Sequence, residues 1–167
     1  DPLGNFLFQF GDIGTTAGRL EHPYGIAADQ SLRLYVSEML GHRISRFTDK
    51  GVFESSFGSF GIRDGELNQP TGVDVDIDGA VWGADTGNDR IQKFSRDGEQ
   101  LLTVGAYGIN VGYFDKPLDV AVDRQRRIWV ADTENHRIQR FNSYGQFELA
   151  FGRKGAYTSE FNRPTSI

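Results

Sequence analysis

The chain has 167 residues, no cysteine, 13 phenylalanines, and 18 basic against 23 acidic side chains, for a formal net charge of −5. Without thiols, a disulfide framework, a cysteine-ligated zinc site and a cysteine nucleophile are excluded. No apolar run reaches the roughly 18 residues that a transmembrane helix needs, and an aromatic content of 13% is too high for a disordered chain. The acidic balance offers no long-range attraction to nucleic acid or to an anionic membrane.

An internal repeat of 47 residues runs through the whole chain without insertion or deletion. Its clearest markers are prolines and glycines in a fixed register, namely Pro23, Pro70, Pro117 and Pro164, and Gly11, Gly58, Gly105 and Gly152. Within each unit, apolar residues alternate over short runs, which is the period of a β-strand. The third unit, for example, predicts strands at 119–123, 127–131, 137–141 and 146–151.

Four antiparallel strands in each unit of about 40 to 50 residues are typical of a β-propeller blade. We therefore predict an all-β chain of such blades. In chain order they are the fourth strand of one blade at 4–10, three complete blades at about 23–57, 70–104 and 117–151, and the start of another blade at 164–167. Six aromatic residues are expected to pack between blades: Tyr35, Phe47, Trp82, Phe94, Trp129 and Phe141.

Two segments also carry a family resemblance. Residues 84–94 and 131–141 both read Ala-Asp-Thr-x-Asn-x-Arg-Ile-Gln-x-Phe, and this motif resembles the signature of NHL repeats. The Phe-Gly-x-x-Gly that begins at Phe151 and the Phe-Asn-x-Pro that ends at Pro164 are similar to the long connecting loop of that repeat. The first unit departs from the motif at 37–43. The resemblance implies a propeller, usually of six blades, that serves mainly as an interaction platform, although some members bind RNA and some relatives are enzymes.

Three blades do not close a ring, because propellers have about four to eight blades around a central channel. We therefore expect the chain to be part of a propeller of about six blades. The remainder would come from a longer chain or from a second copy, and the half-blade segments at 4–10 and 164–167 fit a second copy poorly.

The long loops of the repeat predict where binding occurs. Loops 12–22, 59–69, 106–116 and 153–163, which join one blade to the next, share one face of the propeller with the turns between second and third strands. We call this the top face. Long loops on a rigid scaffold commonly carry binding, and mixed charges suit a protein partner. The candidate contact residues are Arg19, Met39, Leu40, Arg63, Tyr107, Tyr113, Lys116, Arg153 and Tyr157. Met39 and Leu40 either contact a partner or pack beneath a neighbouring loop.

Several polar residues could carry chemistry, but a structural role is favoured for each set. Asp85, Asn88 and Arg90 recur as Asp132, Asn135 and Arg137, so their role is expected to be common to blades, with Asp and Asn bonding turn amides. Weak metal candidates are His22, His42 and His136 as zinc ligands, and Asp74, Asp76, Asp78 and Asp85 with the spacing of a calcium loop. No catalytic residue, metal or cofactor is predicted.

Three functions remain open at this point. We prefer a non-catalytic interaction module that binds a protein partner through its top-face loops. The first alternative is a metal-assisted lyase or hydrolase of the six-bladed class, which rests on the histidines and carboxylates. The second is single-stranded RNA binding through arginine and tyrosine, and the acidic charge disfavours it. No membrane span is expected, and we lean to an extracytoplasmic or secreted location without a motif that decides it.

Overall fold

In the computed structural model, which describes residue 3 and residues 5–167, the chain forms three four-stranded antiparallel sheets. The first sheet contains β1 (Pro23–Ala28), β2 (Leu34–Glu38), β3 (Arg43–Phe47) and β4 (Phe53–Phe57). The second contains β5 (Pro70–Val75), β6 (Val81–Asp85), β7 (Arg90–Phe94) and β8 (Gln100–Val104). The third contains β9 (Pro117–Val122), β10 (Ile128–Asp132), β11 (Arg137–Phe141) and β12 (Phe147–Phe151).

In each sheet the strands follow chain order, so every blade is a meander of adjacent hairpins. The described residues contain one short 3₁₀ helix, Thr86–Asn88, and no α-helix. No helix in this described part of the chain is long and apolar enough to cross a membrane. The predicted all-β fold of four-stranded antiparallel blades is confirmed.

Aromatic side chains pack the blades against one another. Phe47, Phe94 and Phe141 are buried, as are Tyr35 and Trp82. Burying a side chain of this size stabilises the fold by about 1.5–3 kcal/mol. The sixth predicted position, Trp129, is only partly buried, because no further blade covers the outer face of the third sheet in residues 5–167.

A glycine and an apolar residue fix each loop between blades. Gly58 has φ +88°, and a Cβ there would lie 2.6 Å from the Leu67 side chain, which is fully buried at the other end of the same loop. The Leu67 amide also donates to the Ser59 carbonyl at 2.8 Å, so the loop closes on itself. The glycine and apolar pair recurs at Gly11 with Leu20, Gly105 with Phe114, and Gly152 with Phe161. The long loops are therefore anchored and not free.

The segment before the first blade lies in the position of a fourth strand without forming one. Gly4 lies outside the described residues, and residues 5–10 form no strand, because no described strand lies beside them to pair with. Phe10 nevertheless packs on Phe47 with ring centroids 5.1 Å apart, as Phe57 packs on Phe94 at 5.1 Å. Phe10 thus occupies the place that a fourth-strand residue takes on the next blade.

Residues 164–167 lie against the third blade as the first residues of β9 lie against the second. The Thr133 hydroxyl donates to the Pro164 carbonyl at 2.7 Å, and the Thr86 hydroxyl donates to the Pro117 carbonyl at the same distance. The Ile167 amide donates to Asp119 Oδ2 at 3.0 Å. These contacts repeat the join between blades, although residues 164–167 form no strand.

The anchoring of the loops predicts different costs for two glycine substitutions. Gly112 has φ +83°, and a Cβ added there would meet no atom within 4 Å, so this position isolates the backbone cost. We expect Gly112→Ala to lower the free energy of unfolding by about 1–2 kcal/mol. Gly58→Ala also drives a methyl group into Leu67 and should lower it by a further ~1–3 kcal/mol. Urea unfolding of both variants measures the difference, and equal losses would contradict the anchor.

Candidate functional site

A buried carboxylate lies at the top-face end of the second strand in each blade. In the second blade it is Asp85, which is fully buried. Its oxygens accept hydrogen bonds from Arg90 Nε at 2.7 Å, Asn88 Nδ2 at 2.9 Å, Gln92 Nε2 at 3.1 Å and the Asn68 amide at 2.6 Å. One anion therefore joins β6, β7, the turn between them and loop 59–69.

The donors to Asp85 also hold the loop directly. Arg90 Nη2 donates to the carbonyls of Arg63 at 2.7 Å and Glu66 at 3.0 Å. Gln92 Nε2 donates to the Glu66 carbonyl at 2.6 Å, and Asn88 Nδ2 donates to the Gly61 carbonyl at 2.8 Å. We call a buried carboxylate together with these donors a carboxylate clamp. Its contacts bring the turn and the inter-blade loop together on the top face.

The clamp recurs in the third blade with the same residue types. Asp132 is fully buried and accepts from Arg137 Nε at 2.7 Å, Asn135 Nδ2 at 3.0 Å and Gln139 Nε2 at 3.0 Å. The Asp115 amide completes the set at 2.8 Å. Both sequence sets are thus engaged in ion pairs and hydrogen bonds inside the protein, which is the geometry of a structural role.

The first blade builds its clamp from different residues. Glu38 accepts from Arg43 Nε at 2.8 Å, Ser45 Oγ at 2.5 Å and the Glu21 amide at 2.8 Å. Glutamate is one methylene longer than aspartate, and serine is shorter than the glutamine it replaces. At Gly41, where the other blades have asparagine, a Cβ would lie 2.9 Å from Glu38 Oε2. The three departures from the motif therefore compensate one another.

The predicted contact residues lie on successive top-face loops, and eight of the nine are exposed. The exposed ones are Arg19, Leu40, Arg63, Tyr107, Tyr113, Lys116, Arg153 and Tyr157. Met39 is partly buried, and its amide donates to the His22 carbonyl at 2.9 Å. Some of the charges are already paired within their own loop, as Arg153 is with Glu160 at 2.9 Å. The candidates share a face, but they are distributed along it.

Further exposed apolar residues, not predicted from the sequence, lie on the same loops as the predicted contact residues, which include Tyr107 and Tyr157. Ile62 is 78% exposed, Ile109 is 76% exposed, and Tyr157 is 83% exposed. Ile62 and Ile109 could have been predicted from their register. Each falls between the repeat glycine and the buried apolar residue that anchors the loop, outside any strand. We call this set the apolar ridge, and its members are Ile13, Phe60, Ile62, Tyr107, Ile109, Val111 and Tyr157.

The histidines have structural partners. His42 Nδ1 accepts the Gln69 amide at 3.1 Å, and His136 Nδ1 accepts the Arg163 amide at 3.0 Å. Neutral imidazole has a single lone pair. Because Nδ1 uses it here, Nε2 carries the proton and has no lone pair to offer a metal. His22 lies on loop 12–22 with its carbonyl bonded to the Met39 amide.

The four aspartates of the calcium pattern are divided between β5 with the turn that follows it and the far end of β6. Asp76 Oδ1 accepts the amides of Asp78 at 3.0 Å and Ala80 at 2.9 Å, which closes the turn before β6. Asp85 lies at the other end of β6, a separation of about 15 Å for a strand of this length. Among the described residues, no group of three or more His, Asp or Glu side chains could hold a metal ion.

Three carboxyl groups have shifted pKa values with structural causes. Burial raises the pKa of Asp74, whose Oδ2 accepts the Val122 amide of the next blade at 2.7 Å. Burial and the nearby carboxylates, Asp89 first, raise the pKa of Asp115. For Asp123, burial is outweighed by hydrogen bonds from Trp129 and Arg127, so its pKa falls to about 2. Asp123 therefore remains ionised as the anchor of its turn, which is the role that Asp76 has one blade earlier.

The decisive comparison concerns the segment that contains the third-blade clamp. Residues 114–141 match the family model described as the NHL repeat. The match spans β9, β10 and β11 and includes Asp132, Asn135 and Arg137, so the predicted resemblance to the NHL-repeat β-propeller family is confirmed. No curated protein matches the sequence.

Solved structures share the fold of this chain at low sequence identity. A hydrazine synthase from Kuenenia stuttgartiensis superposes with a TM-score of 0.68 and 13% identity, over 93% of this chain and 42% of that one. A catalytically inactive virginiamycin B lyase from Staphylococcus aureus with quinupristin gives 0.65 and 21%, over 87% and 44%. A gluconolactonase from Xanthomonas campestris gives 0.61 and 20%, over 79% and 48%. The chain spans less than half of each, and the likeness shows the β-propeller fold.

The compensation in the first-blade clamp predicts the outcome of a transplant. Asp85→Glu alone forces an extra methylene against Asn88 and Gln92, so we expect it to lower the free energy of unfolding by about 1–3 kcal/mol. Adding Asn88→Gly and Gln92→Ser reproduces the first-blade set and should recover more than half of that loss. Urea unfolding measures both, and a triple variant no more stable than Asp85→Glu would show that the three residues do not act together.

Proposed function

We propose that this chain is a non-catalytic β-propeller interaction module that binds a protein partner through the apolar ridge of its top face. The observation that carries the proposal is the exposure of Ile62, Ile109 and Tyr157 on loops that are anchored at both ends. Covering apolar surface favours association. Loops that are ordered before binding lose little further conformational entropy when a partner docks.

The charges beside the ridge favour a protein over a nucleic acid. Exposed groups of both signs accompany it, among them Arg63, Asp64 and Lys116. An apolar centre with a mixed polar rim is the usual composition of a protein–protein interface. Nucleic-acid affinity depends instead on basic groups that neutralise phosphates, and the net charge of −5 opposes it.

The alternative of a metal-assisted lyase or hydrolase draws on the neighbours described as virginiamycin B lyase and gluconolactonase. Those activities belong to those proteins, which are 21% and 20% identical to this chain. The carboxylates that suggested a reaction centre, Asp76 and Asp85, accept hydrogen bonds within a turn and a clamp. This geometry favours the interaction module.

We also propose that a further blade of the same kind covers the outer face of the third sheet, supplied by a longer chain or a second copy. Phe151 and Leu149 are exposed there. Val104, which lies 47 residues before Phe151, is buried, and a Cβ on Gly145 of the next blade would lie 2.6 Å from it. The contacts of residues 164–167 support this proposal, because they repeat the join between the second and third blades.

The binding surface predicts a difference between two sets of surface variants. The double substitution Ile62→Ser and Ile109→Ser removes two ridge side chains without touching a clamp, and we expect partner affinity to fall tenfold or more, as at an interface hot spot. Tyr144→Ser is the matched control, because Tyr144 is equally exposed but lies in the hairpin between β11 and β12. Affinity capture with quantitative mass spectrometry, followed by titration of the captured protein, gives the measurement.

Circular dichroism and urea unfolding should show that all three proteins are folded equally well. Loss of binding in the Tyr144→Ser control, or unchanged binding in the double variant, would contradict a top-face site.

A further inference from the structure

One side chain in each blade closes a hydrogen bond onto the residue before the next blade. The acceptor is His42 in the first blade, Asp89 in the second and His136 in the third. His42 Nδ1 takes the Gln69 amide at 3.1 Å, and Asp89 Oδ1 takes the Lys116 amide at 2.8 Å. The third blade repeats the bond with the Arg163 amide at 3.0 Å. We call each bond a junction latch, because Gln69, Lys116 and Arg163 each precede the proline that begins or aligns with a first strand.

Both residues of every latch have strained backbones. His42 and Gln69 have φ values of 51° each, and Asp89 and Lys116 have 54° and 49°. The left-handed region is unfavourable for a residue other than glycine, and such conformations persist only where the surroundings hold them. The latch hydrogen bond is one of the interactions that hold the two residues, so its loss should release the strain at the junction.

We propose that the histidine latches make the junctions after the first and third blades sensitive to acid, while the aspartate latch between the second and third blades stays closed. Protonation of His42 places a hydrogen on Nδ1, which then faces the Gln69 N–H as a second donor. The acceptor is lost, and two donors oppose each other. Imidazole groups commonly gain their charge between about pH 8 and about pH 5, and the latch between the second and third blades contains no imidazole.

The charged groups around the two histidines differ. On the elements that meet at His42 they are Glu38 and Arg43, paired with each other at 2.8 Å, Asp12, Arg19, Glu21 and His22 on loop 12–22, and Arg63, Asp64 and Glu66 on loop 59–69. On the elements that meet at His136 they are Asp132 and Arg137, paired with each other at 2.7 Å, Glu134 and Arg163, which form an ion pair, and Asp115, Lys116, Arg153, Lys154 and Glu160 on the two inter-blade loops.

The latch also reaches the apolar ridge. The His42 ring lies edge-on to Phe60, with centroids 4.8 Å apart. A movement of the His42 ring would therefore alter its contact with a side chain of the ridge. The inference about the latches stands on their geometry alone and does not depend on what the ridge binds.

Site-resolved amide exchange of the intact chain tests the proposal with a control inside the same molecule. After correction for the intrinsic exchange rate, we expect the protection of the Gln69 and Arg163 amides to fall about tenfold between about pH 8 and about pH 5, in line with the loss of one hydrogen bond. Lys116, which is bonded to Asp89, should keep its protection. An unchanged Gln69 amide, or an equal fall at all three amides, would overturn the proposal.

Exchanging the latch residues gives a second, independent readout. His42→Asp should remove the pH response at Gln69 and leave the one at Arg163, whereas Asp89→His should create a response at Lys116. A pH response at Gln69 that survives His42→Asp would assign the effect to another group and contradict the latch. Because the unsubstituted chain already carries both kinds of latch, the proposal can be decided even if one variant fails to fold.

Discussion

The top face of this protein depends on an anion buried in each blade. Asp85 and Asp132 are buried from solvent. Their charge is stabilised instead by hydrogen bonds from an arginine, two side-chain amides and a backbone amide. The same arginine and amides also donate to carbonyls of the preceding inter-blade loop. The donors that bind the carboxylate therefore also bind carbonyl groups of the loop. Without the loop these donors would lack acceptors, and without the donors the carboxylate and the loop carbonyls would lack hydrogen bonds. Removing one partner of such a buried pair typically costs about 3–5 kcal/mol.

Three constraints that act on different parts of the same loop hold the loops in place. The clamp holds the middle of loop 59–69, the Gly58 and Leu67 pair closes it, and the His42 latch fixes its end. With the backbone held in this way, apolar side chains such as Ile62 have no interior to enter and remain in solvent. An exposed apolar ridge is thus a consequence of anchored loops, and binding is the use that we propose for it.

The strands of this structure are predictable because the same 47-residue pattern occurs in three complete units. The alternation of apolar residues and the recurrence of Pro23, Pro70 and Pro117 are enough to place every blade. The remainder depends on contacts between residues that are distant in the sequence. That His42 accepts the Gln69 amide, or that Glu38 needs Gly41 and Ser45, follows from how loop and turn meet, which residue types alone do not reveal. Exposure within a loop is likewise determined by the buried anchor residue and not by the alternation of apolar residues, and for this reason Ile62 and Ile109 were not among the contact residues predicted from the sequence. Met39 is partly buried and Leu40 is exposed, and contact of either residue with a partner stays a prediction.

The central claim is that the carboxylate clamp organises the inter-blade loop, and amide exchange in Asp85→Asn tests it most directly. Loss of the charge weakens the bonds from Arg90, so the Asn68 and Leu67 amides in the loop should exchange at least about tenfold faster than in the unsubstituted protein. The Ala80 amide, which Asp76 holds at the opposite end of β6, should keep its protection. Unchanged exchange at Asn68, or equal acceleration at Asn68 and Ala80, would contradict the account.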